Sequence, residues 1–245
     1  LRWSLNGTWR LGPDEALYGY WARRIATGSD VWLASTPGVD KPPLLMYAIA
    51  LAMRVYGYTE FATRFPSIIA GSLSIVLTYA IARRLYADTQ VARLAALLMA
   101  LSPFAILYGA TSYADAIMVM WLLAAAVLAA CGHWAWAGLP AALAVLSKQE
   151  ALSLVPVVLF VGWWHGAVGG RARSRACVSV ASVAALLSTM AAVALAVEIS
   201  WESHRPGQPG PFVLGLADYG GISLSEPGQI PARLGVWWDL SLIHI

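Results

Sequence analysis

Acidic and basic residues recur at the borders of long apolar segments, where a charge is costly unless it is paired or functional. Asp14 and Glu15 open a helical pattern that ends at Gly28. Asp115 precedes an apolar run, and Lys148 lies in a short polar turn between two others. A carboxylate close to a hydroxyl can act as a general base, and a fixed lysine can bind a phosphate as a point charge. These residues therefore predict a site that combines both signs of charge.

A second charged element is Asp40-Lys41-Pro42-Pro43. Proline fixes its own φ and restricts the preceding residue to extended geometry, so Lys41 is expected to be held rigidly. At a membrane surface Lys41 could contact a phosphate, or it could be an interfacial lysine whose charged end reaches water. Equally simple alternatives stay open for Asp14 as a helix N-cap and for Lys148 as the partner of Glu150.

The composition indicates a membrane protein. Only 12% of the 245 residues are charged, whereas a soluble domain carries roughly 25%. A helix needs ~20 apolar residues to span the hydrocarbon, and its backbone must satisfy its own hydrogen bonds. The predicted fold class is therefore all-α, a polytopic transmembrane helical bundle with external juxtamembrane helices. The apolar runs are Pro42–Gly57, Pro66–Ala82, Val91–Ala110, Ala116–Cys131, Trp134–Leu146, Ala151–Trp164, Ala176–Val197 and Ala232–Ile245.

The net charge of +3 does not indicate nucleic-acid binding, because the basic residues lie at the ends of apolar runs. Arg83 and Arg84 follow one run, and three arginines stand within 171–175. The positive-inside rule places both loops in the cytoplasm. Alternation of the later spans then predicts an external face that carries Asp14, Glu15, Asp40, Lys41, Asp115, Lys148, Glu150 and Glu202.

We interpret Pro42–Gly57 as a re-entrant or interfacial helix, because a crossing there would invert every later loop. One domain then contains an external segment over 12–58, transmembrane helices over 62–197 and an external loop over 198–231. Two cysteines without CxxC spacing indicate no metal or redox framework. Since the chain starts at Leu1 and stops within an apolar run, we expect it to be a fragment of a longer protein.

The order of these elements resembles the N-terminal half of the membrane-embedded C-type glycosyltransferases. The closest groups are glycosyltransferase family 39, the protein O-mannosyltransferases and the bacterial aminoarabinose transferase of lipid A. The resemblance covers residues 12 to about 165. Its elements are Gly12-Pro13-Asp14-Glu15-Ala16-Leu17-Tyr18, Asp40-Lys41-Pro42-Pro43-Leu44, Arg64-Phe65-Pro66-Ser67 with Gly71, Leu101-Ser102-Pro103 with Asp115-Ala116, and Leu146-Ser147-Lys148.

The resemblance implies an integral protein of the bacterial plasma membrane that acts at its periplasmic or external face. Its partners would be a polyprenyl-phosphate-linked sugar donor, membrane lipid, and a protein or glycolipid acceptor. Asp14 would be the general base, Asp115 a second catalytic acid, and Lys41 the phosphate ligand. The further implied substrate-binding residues are Glu15, Arg64 and Lys148.

Two departures from the family pattern bear on these expectations. Asp40 matches an acid that can bind a divalent metal in the aminoarabinose branch, but the stretch 216–221 lacks the histidine of that branch. This lack weakens the expectation of a metal cofactor. Gln149 stands where the family most often has glycine after the lysine, which predicts a different turn there.

Two other classes of protein were weighed against the enzyme. A transporter or lipid flippase usually carries intramembrane charges and internal repeats, neither of which the sequence shows. A structural subunit would have no need for these acid and lysine motifs. We therefore expect a sugar transferase in which Asp14, Asp40, Lys41 and Asp115 converge in one external pocket, with Lys148 at its rim.

Overall fold

The computed structural model describes residues 10–34, 39, 41–168 and 180–206, without the side chains of residues 165–168. Every regular element in these ranges is an α-helix, which confirms the predicted all-α class. The helices are α1 Pro13–Thr27, α2 Leu44–Tyr56, α3 Glu60–Tyr86, α4 Thr89–Leu101, α5 Pro103–Gly109, α6 Asp115–Ala130, α7 Trp134–Ser147, α8 Ala151–Val168 and α9 Val180–His204.

Membrane-spanning length is reached by two of the described helices, α3 and α9. A third candidate is the pair α4 and α5, whose axes meet at 58°. The expectation that Val91–Ala110 forms one unbroken helix is therefore wrong. Pro103 has no N–H to continue the helical ladder, and the Ser102 hydroxyl accepts a hydrogen bond from the Ala105 N–H at 3.4 Å, which starts a new helix. The remaining apolar helices, α2, α6, α7 and residues 151–164 of α8, are shorter.

The start of α1 differs from the sequence expectation. Its N-cap is Gly12, and Asp14 lies inside the first turn, so the interpretation of Asp14 as an N-cap is wrong. The Gly12 N–H donates to Glu15 Oε2 at 2.9 Å, which is the reciprocal half of a capping box. Gly28 ends the helix as expected, with a left-handed φ of 77° that glycine adopts without strain.

The helices divide the bundle into two ends, which we call the Asp115 end and the Arg84 end. Near the starts of α3 and α6, the Ser67 hydroxyl donates to the Tyr113 carbonyl at 3.3 Å. Near the ends of the same helices, Arg84 Nη2 donates to Cys131 Sγ at 3.2 Å. These two helices therefore run in parallel, and α7 returns from the Arg84 end to the Asp115 end.

Both ends of α2 lie at the Asp115 end. Its first turn contributes Leu45 and Met46 to a cavity that Asp115 also lines. The ring of its last residue, Tyr56, lies 5.5 Å from Phe61 and 4.7 Å from Phe65 in the first turns of α3. That α2 is re-entrant or interfacial stays a prediction.

The last turn of α9 also packs at the Asp115 end. His204 stacks on Trp32 with ring centroids 3.9 Å apart. Trp201, one turn earlier, lines an apolar cavity with Trp32 and with Leu146 of α7. These contacts hold α9 against the loop that joins α1 to α2, and so support the segment that carries Lys41.

Candidate active site

A cavity of about 540 Å³ lies at the Asp115 end of the bundle. Four predicted site residues from four separate segments line it, namely Asp14, Lys41, Asp115 and Lys148. Asp40, the fifth residue that we expected in this pocket, lies outside the described residues. The fold thus brings together an acid from α1, a lysine that precedes α2, the first residue of α6 and the turn after α7.

Three helices begin at this cavity, because α1, α2 and α6 each contribute a residue of their first turn to its wall. The N-terminus of a helix carries about half a positive charge and unpaired N–H groups, and both favour an anion. Together with Lys41 and Lys148, these termini make the cavity suited to a phosphate.

Asp14 is exposed at the cavity. No hydrogen bond or ion pair to another described residue occupies its carboxylate, and it is not the cap of α1. Burial, followed by the negative charge of Asp14, raises the pKa of the neighbouring Tyr113. This carboxylate is therefore available to receive a proton from a bound hydroxyl.

Asp115 and Lys148 form an ion pair across the cavity wall, with 2.9 Å between Oδ1 and Nζ. Glu150 is a second partner of Lys148 at 3.8 Å. The Lys148–Glu150 pair that the sequence left open is therefore present, but it is the longer of the two contacts. Burial alone would lower the pKa of Lys148, but its bond to Asp115 reverses the shift and raises it. Lys148 thus stays cationic, and its side chain is still 34% exposed and within reach of a ligand.

Glu15 and Arg64, expected to bind substrate, do not line the cavity. Their side chains are 5% and 4% exposed, and Arg64 Nη2 lies 3.0 Å from Glu15 Oε2. Glu15 Oε1 also accepts the Ser112 N–H at 2.8 Å. Burial favours the neutral acid, but the bonds from Arg64, Gly12 and Ser112 outweigh it and hold the pKa of Glu15 at about 2. This pair joins α1, α3 and the segment before α6 behind the site.

Sequence reasoning missed this positioning role. Glutamate as the third residue of a helix commonly reaches back to the N-cap, and that position was the available signal for Glu15. The partners Arg64 and Ser112 are 49 and 97 residues away in the chain, which no local pattern reveals.

A second, apolar cavity of about 240 Å³ adjoins the first, since Tyr108 and Asp115 line both. It lies where α4 bends into α5, with α3 and α6 as its other walls. The bend leaves room there for an apolar chain beside the polar site. Its remaining lining residues are Gly71, Ser74, Met99, Ser102, Phe104, Ala105, Ala116 and Val119.

Within the described part of the chain, no group of three or more His, Cys, Asp or Glu side chains is close enough to hold a metal ion. The expected metal ligand, Asp40, lies outside the described residues, so its role stays a prediction.

Residues 40–201 match the family described as dolichyl-phosphate-mannose-protein mannosyltransferase. Proteins named undecaprenyl phosphate-alpha-4-amino-4-deoxy-L-arabinose arabinosyl transferase are similar to this chain. Those of Pseudomonas paraeruginosa and Pseudomonas aeruginosa are 29% identical over 173 residues, and one from Proteus mirabilis is 27% identical over 176. Each alignment covers 64% of this chain and 31% of the relative, so the chain spans about a third of their length. No solved structure matches the chain significantly.

Proposed function

Because the chain belongs to the dolichyl-phosphate-mannose-protein mannosyltransferase family, we propose that its cavity transfers a sugar from a polyprenyl-phosphate-linked donor to a hydroxyl acceptor. The observation that carries this proposal is one cavity lined by two lysines and by the carboxylate of Asp14, which has no hydrogen bond or ion pair to another described residue. Glycosyl transfer requires both groups, since an acceptor hydroxyl must lose a proton while a phosphate departs with added charge.

The donor phosphate is assigned to Lys41, with Lys148 as a second cation that lines the same cavity. As the bond from the sugar to the phosphate breaks, negative charge grows on the departing oxygen. Fixed cations and helix N-termini in a site shielded from water stabilise that charge in the transition state. Lys41 precedes two prolines, which limits the reorganisation of its backbone.

The adjoining apolar cavity is assigned to the first units of the prenyl tail. A polyprenyl chain has no hydrogen-bonding groups, and the walls formed by Met99, Phe104 and Val119 offer none in return. Because this cavity shares Tyr108 and Asp115 with the polar site, a lipid lying in it would present its phosphate to the lysines.

In the chemical step, Asp14 accepts the proton of the acceptor hydroxyl. The hydroxyl oxygen forms a bond to the anomeric carbon, the bond from that carbon to the phosphate oxygen breaks, and its electron pair leaves with the polyprenyl phosphate. Attack from the side opposite the phosphate inverts the anomeric centre. A protein or glycolipid hydroxyl suits this step equally.

The reaction is assigned to the external face of the plasma membrane. Arg83 and Arg84 lie at the end of the bundle opposite the cavity, and the arginines of 171–175 follow a helix that runs toward that end. Basic residues mark the cytoplasmic side, so the cavity faces the periplasm or exterior. The bacterial origin of the relatives supports a bacterial plasma membrane as the location.

The test uses the full-length protein and three lipids: undecaprenyl phosphate, its 4-amino-4-deoxy-L-arabinose ester and its mannose ester. We expect binding of all three, and release of undecaprenyl phosphate from at least one ester when lipid A or a serine-rich peptide is added as acceptor. Lys41→Ala should weaken the binding of every lipid, whereas Arg93→Ala, an exposed charge near the other end, should not. A wild-type protein that binds none of the lipids and releases no undecaprenyl phosphate would refute the proposal.

A further inference from the structure

The turn between α7 and α8 carries two hydrogen-bond acceptors that have no donor among the described residues. Gln149 Oε1 and Glu150 Oε2 are shielded from solvent, and neither receives a hydrogen bond from any residue that the structure describes. Both residues line the polar cavity. Shielded polar atoms in proteins are nearly always paired. Two acceptors that no described residue pairs, in neighbouring residues that line a cavity, therefore indicate a ligand that supplies hydrogens.

The chemistry of these atoms limits what that ligand can be. A phosphodiester presents only acceptor oxygens and cannot satisfy either atom. The proton of the acceptor hydroxyl is assigned to Asp14. The part of a glycosyl donor that carries several O–H or N–H groups is its sugar, which is attached directly to the phosphate and therefore lies beside Lys148.

Charge favours an amino group as one of these donors. The cavity is lined by the carboxylates of Asp14, Asp115 and Glu150 and by the two lysines Lys41 and Lys148, a net charge of −1. A phosphodiester in the site brings the net charge to −2. Lys148 is already paired with Asp115 at 2.9 Å and lies 3.8 Å from only one oxygen of Glu150, so the other oxygen is suited to a cation.

We propose that Gln149 and Glu150 bind the transferred sugar and set its identity, an assignment that rests on the proposed function. Gln149 Oε1 accepts from a sugar hydroxyl or amine, and Glu150 Oε2 favours a protonated amine. The terminal torsions of both side chains are soft, so a small rotation turns each oxygen toward the cavity. Glycine, the residue that the family resemblance leads one to expect at 149, has no side chain for this contact.

The experiment measures the affinity of the full-length protein for the three undecaprenyl lipids defined above. Gln149→Leu keeps the size of the side chain and removes the acceptor. It should weaken binding of both sugar esters about five- to tenfold, the value of one neutral hydrogen bond. Binding of undecaprenyl phosphate should stay unchanged. Gln149→Gly should give the same pattern and serves as a second variant if the leucine disturbs the turn. The matched control is Gln90→Leu, because Gln90 is exposed at the start of α4 near the other end of the bundle.

Glu150→Gln separates the two kinds of hydrogen donor. If the sugar carries an amine, this variant should weaken binding of the aminoarabinose ester tenfold or more and change binding of the mannose ester less. If Glu150 recognises a hydroxyl, binding of both esters should weaken by a similar factor. Either result supports a sugar contact at this turn.

Two results would contradict the assignment and differ from a failure of the proposed function. An equal loss of affinity for all three lipids would show that the turn contacts the phosphate or only supports the structure. Unchanged affinities in the Gln149 and Glu150 variants, with the wild type binding all three lipids, would remove the sugar contact and leave the transferase intact. A wild type that binds no lipid would refute both proposals together.

Discussion

Asp14 and Glu15 are adjacent in the sequence but lie in opposite environments. Glu15 is 4% exposed and bonded to Arg64, whereas Asp14 is exposed and lines the polar cavity. Successive residues of a helix are rotated by ~100°, so a buried anchor at Glu15 fixes the direction in which Asp14 faces. The ion pair behind the site therefore orients the proposed base in front of it.

The Glu15 anchor makes stability depend on pH in a defined window. Its pKa is about 2 in the folded protein against 4.5 for an unperturbed glutamate. The contribution of Glu15 to stability is therefore complete above about pH 4.5 and declines as pH falls toward 2. At neutral pH the difference corresponds to about 3 kcal/mol. Glu15→Gln should lower the free energy of unfolding by that order at pH 7, and the gap to wild type should close on acidification.

Thermal unfolding in detergent from pH 7 to pH 3 measures this gap. The control is Glu60→Gln, an exposed glutamate at the start of α3. A gap that stays constant with pH would show that the Glu15 carboxylate is not the stabilising species.

The Asp115–Lys148 pair can be tested by exchanging its members. Asp115→Lys with Lys148→Asp restores an ion pair of the same composition at the same place. If each residue has its own role toward the substrate, the double variant should fold normally but transfer at least a hundredfold more slowly than the wild type, as we also expect of each single variant. Recovery of wild-type turnover in the exchange variant would make the pair purely structural.

Much of this arrangement follows from local sequence. The apolar runs and their arginine borders predicted the helices, and the motifs around Asp14, Lys41, Asp115 and Lys148 predicted which residues meet. Local patterns did not reveal the burial of Glu15, because its partner Arg64 lies 49 residues away and the contact exists only in the folded chain. The break at Ser102–Pro103 did have a local signal in its proline, but the apolar character of the whole run masked it.

The apolar cavity predicts a dependence on lipid length. Ala105→Trp should fill the space beside the α4–α5 bend and raise KM for undecaprenyl donors by about tenfold. It should affect a donor whose phosphate carries only a methyl group much less, because such a donor has no chain to place in the cavity. Ala184→Trp is the matched control, since Ala184 is exposed on α9. Equal effects on long and short donors would place the tail elsewhere.

The sidedness of the site can be tested with an impermeant thiol reagent in whole cells that express a cysteine-free variant. A cysteine introduced at Thr111, on the cavity wall, should react in intact cells. A cysteine at Ala87, exposed just after the arginine pair of α3, should react only after permeabilisation. The reverse pattern of reactivity would show that the cavity faces the cytoplasm.

The most direct test of the central claim compares turnover and donor binding in Asp14→Asn. The amide has the same shape as the carboxylate but cannot accept the proton. Loss of a general base typically costs 10²–10⁴-fold in rate, while the lysines that hold the phosphate remain. We predict that Asp14→Asn loses at least a hundredfold in single-turnover transfer and binds the undecaprenyl donor within about twofold of wild type. Near-normal turnover in Asp14→Asn would contradict the assignment of Asp14 as the base.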